Sequence, residues 1–459
     1  MISIFISRRH LRARLLVIMF VGITIEMHAQ FNYAASLEIR GLGTFTDDLP
    51  FWMEHNQRGR IHGETNFLGL LGGKVSHGLG QSAYLEAAGG VYYEDAIDGL
   101  TLDELYLRFQ NSWVELVVGK KHDEVLFQGL SATNGSILRS TNTRAMPGIQ
   151  LRSRGPIMVL PRAGVGFEFS LEEFQLEEER YVSDTRLHHK SFHLVLRPVS
   201  NFQLRAGLQH YVQWAGTSPD YGPQPGSFKD YLRIFGGLSG GESAALEDQD
   251  NVLGNSLGSY EITLDTQWGD YDISLLWNSI FEDGSGMRLG NTPDGRYGVY
   301  MQDTKSKWWI QSLMYEFYYS KHHSHTTTGI HKYDNYFNNV NYKSGWTYYG
   351  RTVGVPFYLA RPNGRGVNNN VFTAHHLGLG GVAFEKIPFR FLNSYRRNYG
   401  LSNMDFTYFT KYPPEVIFSS MLELQMPLKP VSLNLQLGTD FSNQTSPSFG
   451  TGLSVLYRL

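Results

Sequence analysis

Nine of the 26 residues from Tyr333 to Tyr358 are aromatic, against 14% for the whole chain, and four more are asparagines. The only charges in that stretch are Asp334, Lys343 and Arg351. It is too polar for a buried core strand and too aromatic for a solvated linker. Flat rings beside amides and a guanidinium are what recognition of a carbohydrate requires. Rings stack on the C–H faces of sugars, amides bond hydroxyls in either direction, and arginine grips a carboxylate with two N–H groups. On this reading Trp346, Tyr348 and Tyr349 stack on sugar rings. Asp334, Asn335 and Tyr336 meet hydroxyls, and Arg351, with Arg296 or Arg144, pairs with uronate or pyruvate carboxylates. The same residue types would equally serve a plug packed into a barrel mouth.

Other chemistries have weaker footing. His322, His323, His325 and His331 cluster, but no carboxylate recurs at a matching spacing, so a polar turn is expected and no metal site. Serine, histidine and aspartate are plentiful without a G-x-S-x-G elbow, and no nucleophile stands out, so no catalytic residue and no cofactor is expected. Gly378–Gly381 and Gly240–Gly241 lack the strand, lysine and helix of a phosphate loop and read as glycines facing a crowded lumen or a bend. The chain has no cysteine, which removes disulfides, thiol catalysis and thiolate metal sites together.

The elements that must position the aromatic stretch repeat every two residues. Phe202, Leu204, Ala206 and Leu208 share one face while Gln203, Arg205 and Gln209 share the other. Val431, Leu433, Leu435 and Leu437 likewise oppose Ser432, Asn434 and Gln436. Successive strand side chains point to opposite faces, so each run has one apolar and one polar side. A soluble sandwich would turn the apolar side inward; a transmembrane barrel turns it to lipid and keeps a polar lumen. Three features favour the barrel: mid-strand Arg, Glu, Asp and Gln; aromatics near strand ends (Trp214, Trp268, Trp308, Trp309, Tyr318, Tyr319); and alternating long and short connections.

Met1–Ala29 has a basic start (Arg8, Arg9, Arg12, Arg14), an apolar run from Leu15 to Ile25 and a small residue at Ala29, the pattern of a secretory signal peptide. Its removal lowers the 40 basic and 43 acidic side chains to 36 and 42, a net −6. No basic stripe suited to nucleic acid survives. Residues 30–459 then form one all-β domain, an up-and-down antiparallel barrel with long extracellular loops. Seventeen runs can be placed, from 34–45 to 448–459. Both termini belong on the periplasmic side, so the count must be even. The missing strand falls between 282 and 372, with Thr326–Lys332 its best candidate, giving about eighteen. Residues 215–257, rich in Gly, Pro and Ser, are expected to be partly ordered inside the mouth. Residues 282–306 are expected as an external loop, and the glutamates from Glu172 to Glu179 as a solvated rim.

Four segments resemble a known family: Asp48–Ile61 (DLPFWMEHNQRGRI), Lys120–His122 (KKH), Arg139–Leu151 (RSTNTRAMPGIQL) and, most specifically, Asp334–Tyr358 (DNYFNNVNYKSGWTYYGRTVGVPFY). They are similar to the Wzi capsule-assembly proteins in their Bacteroidetes-type form. The resemblance implies an eighteen-strand outer-membrane barrel acting as a lectin-like anchor for capsular polysaccharide, with loops facing outward. It departs from enterobacterial members in showing no helical period for a periplasmic bundle. The partners this implies are capsular or exopolysaccharide, outer-membrane lipid and lipopolysaccharide, with the protein a monomer. The competing readings are an outer-membrane porin or substrate-specific channel, and an outer-membrane hydrolase.

Overall fold

The structure, a computed structural model, describes residues 31–80, 82–241, 252–324, 334–402 and 409–459. The signal-peptide segment and the strand expected at Thr326–Lys332 lie outside the described residues.

A closed antiparallel barrel of eighteen strands runs in simple chain order. The strands are β1 Phe31–Thr44, β2 Phe67–Gly78, β3 Tyr84–Glu94, β4 Gly99–Gln110, β5 Val114–Lys120, and β6 Pro147–Ser153, which resumes as Ile157–Leu160. They continue as β7 Val165–Gln175, β8 Arg186–Val199, β9 Phe202–Trp214, β10 Asn255–Trp268, β11 Tyr271–Ser279 and β12 Gly295–Asp303. The last six are β13 Ile310–Ser320, β14 Val371–Ala383, β15 Ile387–Gly400, β16 Glu415–Leu428, β17 Val431–Ser442 and β18 Ser448–Arg458. Both pieces of β6 pair with β7, so they count as one interrupted strand. The ladder closes where β1 meets β18, from Ser36 opposite Arg458 to Thr44 opposite Gly450. Closure leaves no unpaired strand edge, which a bilayer does not tolerate. Among the described residues no helix is long and apolar enough to cross a membrane, so crossing falls to the strands.

The expected total of eighteen is found, but the strand that completes it is Gly295–Asp303 and not Thr326–Lys332. It sits inside the stretch expected as a loop, and β13 pairs directly with β14. The two-residue rhythm is plain in exposure. Leu37, Leu71, Leu107, Ile149 and Phe192 on the outer wall are exposed, while Glu86, Asp103, Glu172, Glu261 and Glu316 on the inner wall are buried. Glu172 therefore belongs to the lumen and not to a solvated rim. Of the aromatics expected at the membrane borders, Trp268, Trp308 and Trp309 lie exposed by the short turns, whereas Trp214 and Tyr318 are buried. No helical bundle occurs among the described residues.

The hydrophobic core lies inside the cylinder, at the end bearing the long connections. It gathers Trp52 and Met53 from the first long loop, Ile137 and Leu138 from 121–146, and Tyr336, Phe337, Trp346, Val355, Phe357 and Tyr358 from 321–370. The wall makes room for it: a Cβ added at Gly378 of β14 would stand 2.4 Å from the Leu130 carbonyl oxygen, closer than any real side chain. Glycine thus lets the plug touch the wall, in keeping with the crowded lumen expected at Gly378–Gly381.

Candidate functional site

The plug is latched to the barrel by buried polar groups. Glu316 on β13, fully buried, accepts from Ser131 Oγ at 2.7 Å, the Ala132 N–H at 2.8 Å and Arg296 at 3.1 Å. Arg296 of β12 also donates to Thr133 Oγ1 (2.8 Å) and the Gly135 carbonyl (3.0 Å). Arg139 of the same loop bridges Glu172 and Asp123, both at 2.8 Å. Arg60 holds Asp103 with two bonds of 2.8 and 2.6 Å. Each buried carboxylate thereby keeps a cation or several donors, the condition under which buried charge is tolerated. Beneath the plug, cavities of about 420 and 570 Å³ remain on the short-turn side.

The stretch Asp334–Tyr358 is laid across the loop 121–146. The Trp346 indole N–H donates to the Leu138 carbonyl at 2.7 Å, Val355 N–H to Ile137 at 3.1 Å, and the Asn142 amide to Thr352 at 3.0 Å. Trp346 is fully buried and Tyr348 nearly so, so their faces pack protein. Arg351 is 8% exposed; it bonds Glu54 at 2.9 Å and the Ile61 carbonyl. Arg296 is consumed by the latch. Tyr336 is buried and donates to Asp294 at 2.9 Å. Asp334 accepts from the Asn291 amide at 2.6 Å. Asn335 is exposed, and its side-chain oxygen accepts from Asn338 and Asn370.

Burial, followed by the charges of Asp283 and Asp294, pushes the Asp334 carboxyl up to about 7. Burial and the nearby Asp334 likewise push Glu282 up. A carboxyl raised in the folded state adds stability while protonated and loses it as pH rises through the folded value. Amides around Asn335–Asn338 should therefore exchange faster as pH goes from 5.5 to 8.5, after correction for intrinsic chemistry. Asp334→Asn should flatten that change; an unaltered pH response in the variant would contradict the assignment.

Tyr349 is different, being 44% exposed. Thr347–Tyr348 and Arg351–Thr352 form a small hairpin, and Tyr349 and Gly350 at its tip have φ of 48° and 72°. A two-residue tip with both residues left-handed turns its first side chain outward. The Arg144 guanidinium stands 4.7 Å from the Tyr349 ring centre. Nearby, the part-buried Tyr181 ring has Lys343 Nζ at 4.9 Å and Arg365 at 5.1 Å from its centre, and Lys343 pairs with Asp220 at 2.5 Å. Lys343 and Tyr181 hold the Asp220 carboxyl below its usual value. Tyr181, Arg365 and Asp220 were not singled out by sequence; they sit on three separate loops, and no local spacing joins them.

A barrel of this size, plugged from its long loops by an aromatic core, is of the outer-membrane type. The Wzi capsule assembly protein profile matches residues 44–357, and the chain belongs to that family. It is accordingly an outer-membrane protein whose long loops face the cell exterior. The solved structure of Wzi from Escherichia coli, an outer membrane protein involved in group 1 capsule assembly and a carbohydrate-binding β-barrel, is similar at a TM-score of 0.58 and 14% identity. The match covers 92% of this chain and 83% of that one. OccK5 of Pseudomonas aeruginosa (12% identity, 93% and 98% covered) has a TM-score of 0.48, and OccAB4 of Acinetobacter baumannii (8%, 94% and 98%) one of 0.47. No curated sequence matches.

Proposed function

We propose that the outer face of the plug binds an acidic capsular or extracellular polysaccharide and holds it at the cell surface, without covalent chemistry. One observation supports this most: the rings at the mouth, exposed Tyr349 and part-buried Tyr181, each lie against cations. A ring supplies the stacking face for a sugar and the neighbouring Arg144, Arg365 or Lys343 the partner for its carboxylate. Asn335 adds an exposed amide. The buried residues of the sequence-derived set, Trp346, Tyr348, Arg351, Arg296, Asp334 and Tyr336, hold the platform in shape. The exported protein, with Met1–Ala29 removed, acts as a monomer whose outer wall meets lipid and lipopolysaccharide.

The exported chain is net negative, so attraction of an acidic polymer rests on local cations such as these. Single sites are weak, salt-sensitive and additive along the chain of sugars. Pull-down of purified protein with extracted capsule at rising salt tests this, comparing wild type with Tyr349→Ala plus Tyr181→Ala. Equal retention by both would remove the assignment.

The plug also argues against the channel reading. Loops from three long connections fill the mouth, so purified protein in planar bilayers should show no steady large conductance. A stable open level of porin size would favour transport.

A further inference from the structure

Residues 215–257 were expected to be partly ordered inside the mouth, yet the helix α1 (Phe228–Gly236) within them packs on the outside of the barrel. Strand parity fixes the side. On β8, His193 faces the lumen and bonds Glu261 at 2.8 Å, while Phe192 and Leu194 are exposed on the outer wall; His188 and Lys190 share the parity of Phe192. On β9, Gln209 reaches the plug at Ser136 (2.6 Å), while exposed Leu208 faces outward with His210, Val212 and Trp214 in step. α1 sits on these outward residues. Ile234 is buried with Val212, Trp214 and Leu253. The Tyr231 ring lies 5.5 Å from His188 and 5.6 Å from Trp214. Lys190 Nζ donates to the Ile234 carbonyl at 3.2 Å and stands 5.3 Å from the Phe235 ring.

The opposite face is uncovered and apolar. Phe228, Leu232 and Phe235, at positions i, i+4 and i+7, are 75%, 53% and 47% exposed, and Leu238 follows at 58%. Lys229 and Arg233 flank the stripe. We propose that α1 is an interfacial helix: its stripe enters the outer leaflet at the boundary between acyl chains and anionic headgroups, with Lys229 and Arg233 on the phosphates. Two features select lipid as occupant. The stripe continues the lipid-facing band, since Lys190 stands only two residues, about 7 Å of strand, above Phe192. Its flanking cations complement an anionic leaflet, the pattern of helices that lie in the interface. The helix also shields outward-facing His188, Lys190 and His210, which would otherwise meet lipid where a charge is costly. The inference is independent of the polysaccharide reading.

The chain has no cysteine, so a nitroxide can be placed uniquely on the full barrel. Leu232→Cys, with Leu238→Cys as second site, is labelled and reconstituted in phosphatidylcholine–phosphatidylglycerol vesicles; Tyr412→Cys in another outer loop, 80% exposed, is the water reference. Heat-modifiable gel mobility confirms a folded barrel. Collision with oxygen relative to a nickel chelate should be several-fold higher at 232 and 238 than at 412. Ratios at both sites equal to that at 412 would overturn the proposal. So would dipolar broadening between singly labelled copies that is relieved by mixing in unlabelled protein, because a second copy would then cover the stripe.

Discussion

Arg296→Ala should cost about 3–5 kcal/mol, because it leaves the fully buried Glu316 carboxylate without its cation. The same change frees Thr133 and the Gly135 carbonyl, so the loop 121–146 loses these bonds to β12, while Ser131 and Ala132 are left holding an uncompensated Glu316 on β13. Hydrogen exchange at Leu130–Ser136 should accelerate, and a conductance absent from wild type should appear in planar bilayers. Arg296→Met with Glu316→Leu removes both charges and should recover part of the stability, since the penalty comes chiefly from the orphaned carboxylate. Unchanged exchange at Leu130–Ser136 in Arg296→Ala would show that the ion pair is not the latch.

Trp346→Ala should be about as severe, at about 3–5 kcal/mol for a buried tryptophan replaced by alanine. It empties the space between Tyr211 and Phe337, whose rings lie 5.3 and 6.5 Å from the indole. It also leaves the Leu138 carbonyl without its donor. The unfolding of the plug should then be seen before that of the barrel wall, by limited proteolysis of the long loops. Polysaccharide retention should fall as a consequence. Tyr349→Ala, by contrast, should leave the melting curve in place, because its ring is half open. A Trp346→Ala protein with a wild-type melt would mean that the plug does not depend on this ring.

The wall of the barrel was legible in sequence because lipid outside and polar lumen inside impose a strict two-residue rhythm. It failed at Gly295–Asp303 for a physical reason. There the inner face carries Tyr300, which packs on Phe127 of the plug at 5.1 Å, with Gly298 beside it opposite Glu316, and Gly295 opens the strand. Where a loop fills the lumen, the inner face is no longer polar and the alternation fades. The plug obscured the site in the same way. Rings, amides and an arginine serve a packed mouth as well as a sugar platform, and composition alone does not say which ring is covered. The Tyr349–Gly350 pair could have distinguished one, because glycine at the second place of a two-residue hairpin tip is a turn signal. Tyr181 and Arg365 carried no such signal, because their meeting depends on how separate loops fold over the plug.

On the proposed reading, the rings of Tyr349 and Tyr181 and their cations hold the polymer while the buried stretch holds the mouth. Binding of acidic capsular polysaccharide to the purified barrel, measured for wild type and for Tyr349→Ala plus Tyr181→Ala, addresses it directly. Affinity should be weaker by about tenfold or more in the double variant, from two stacking contacts of about 1 kcal/mol each, with an unchanged melting curve. Wild-type affinity in a folded double variant would contradict it.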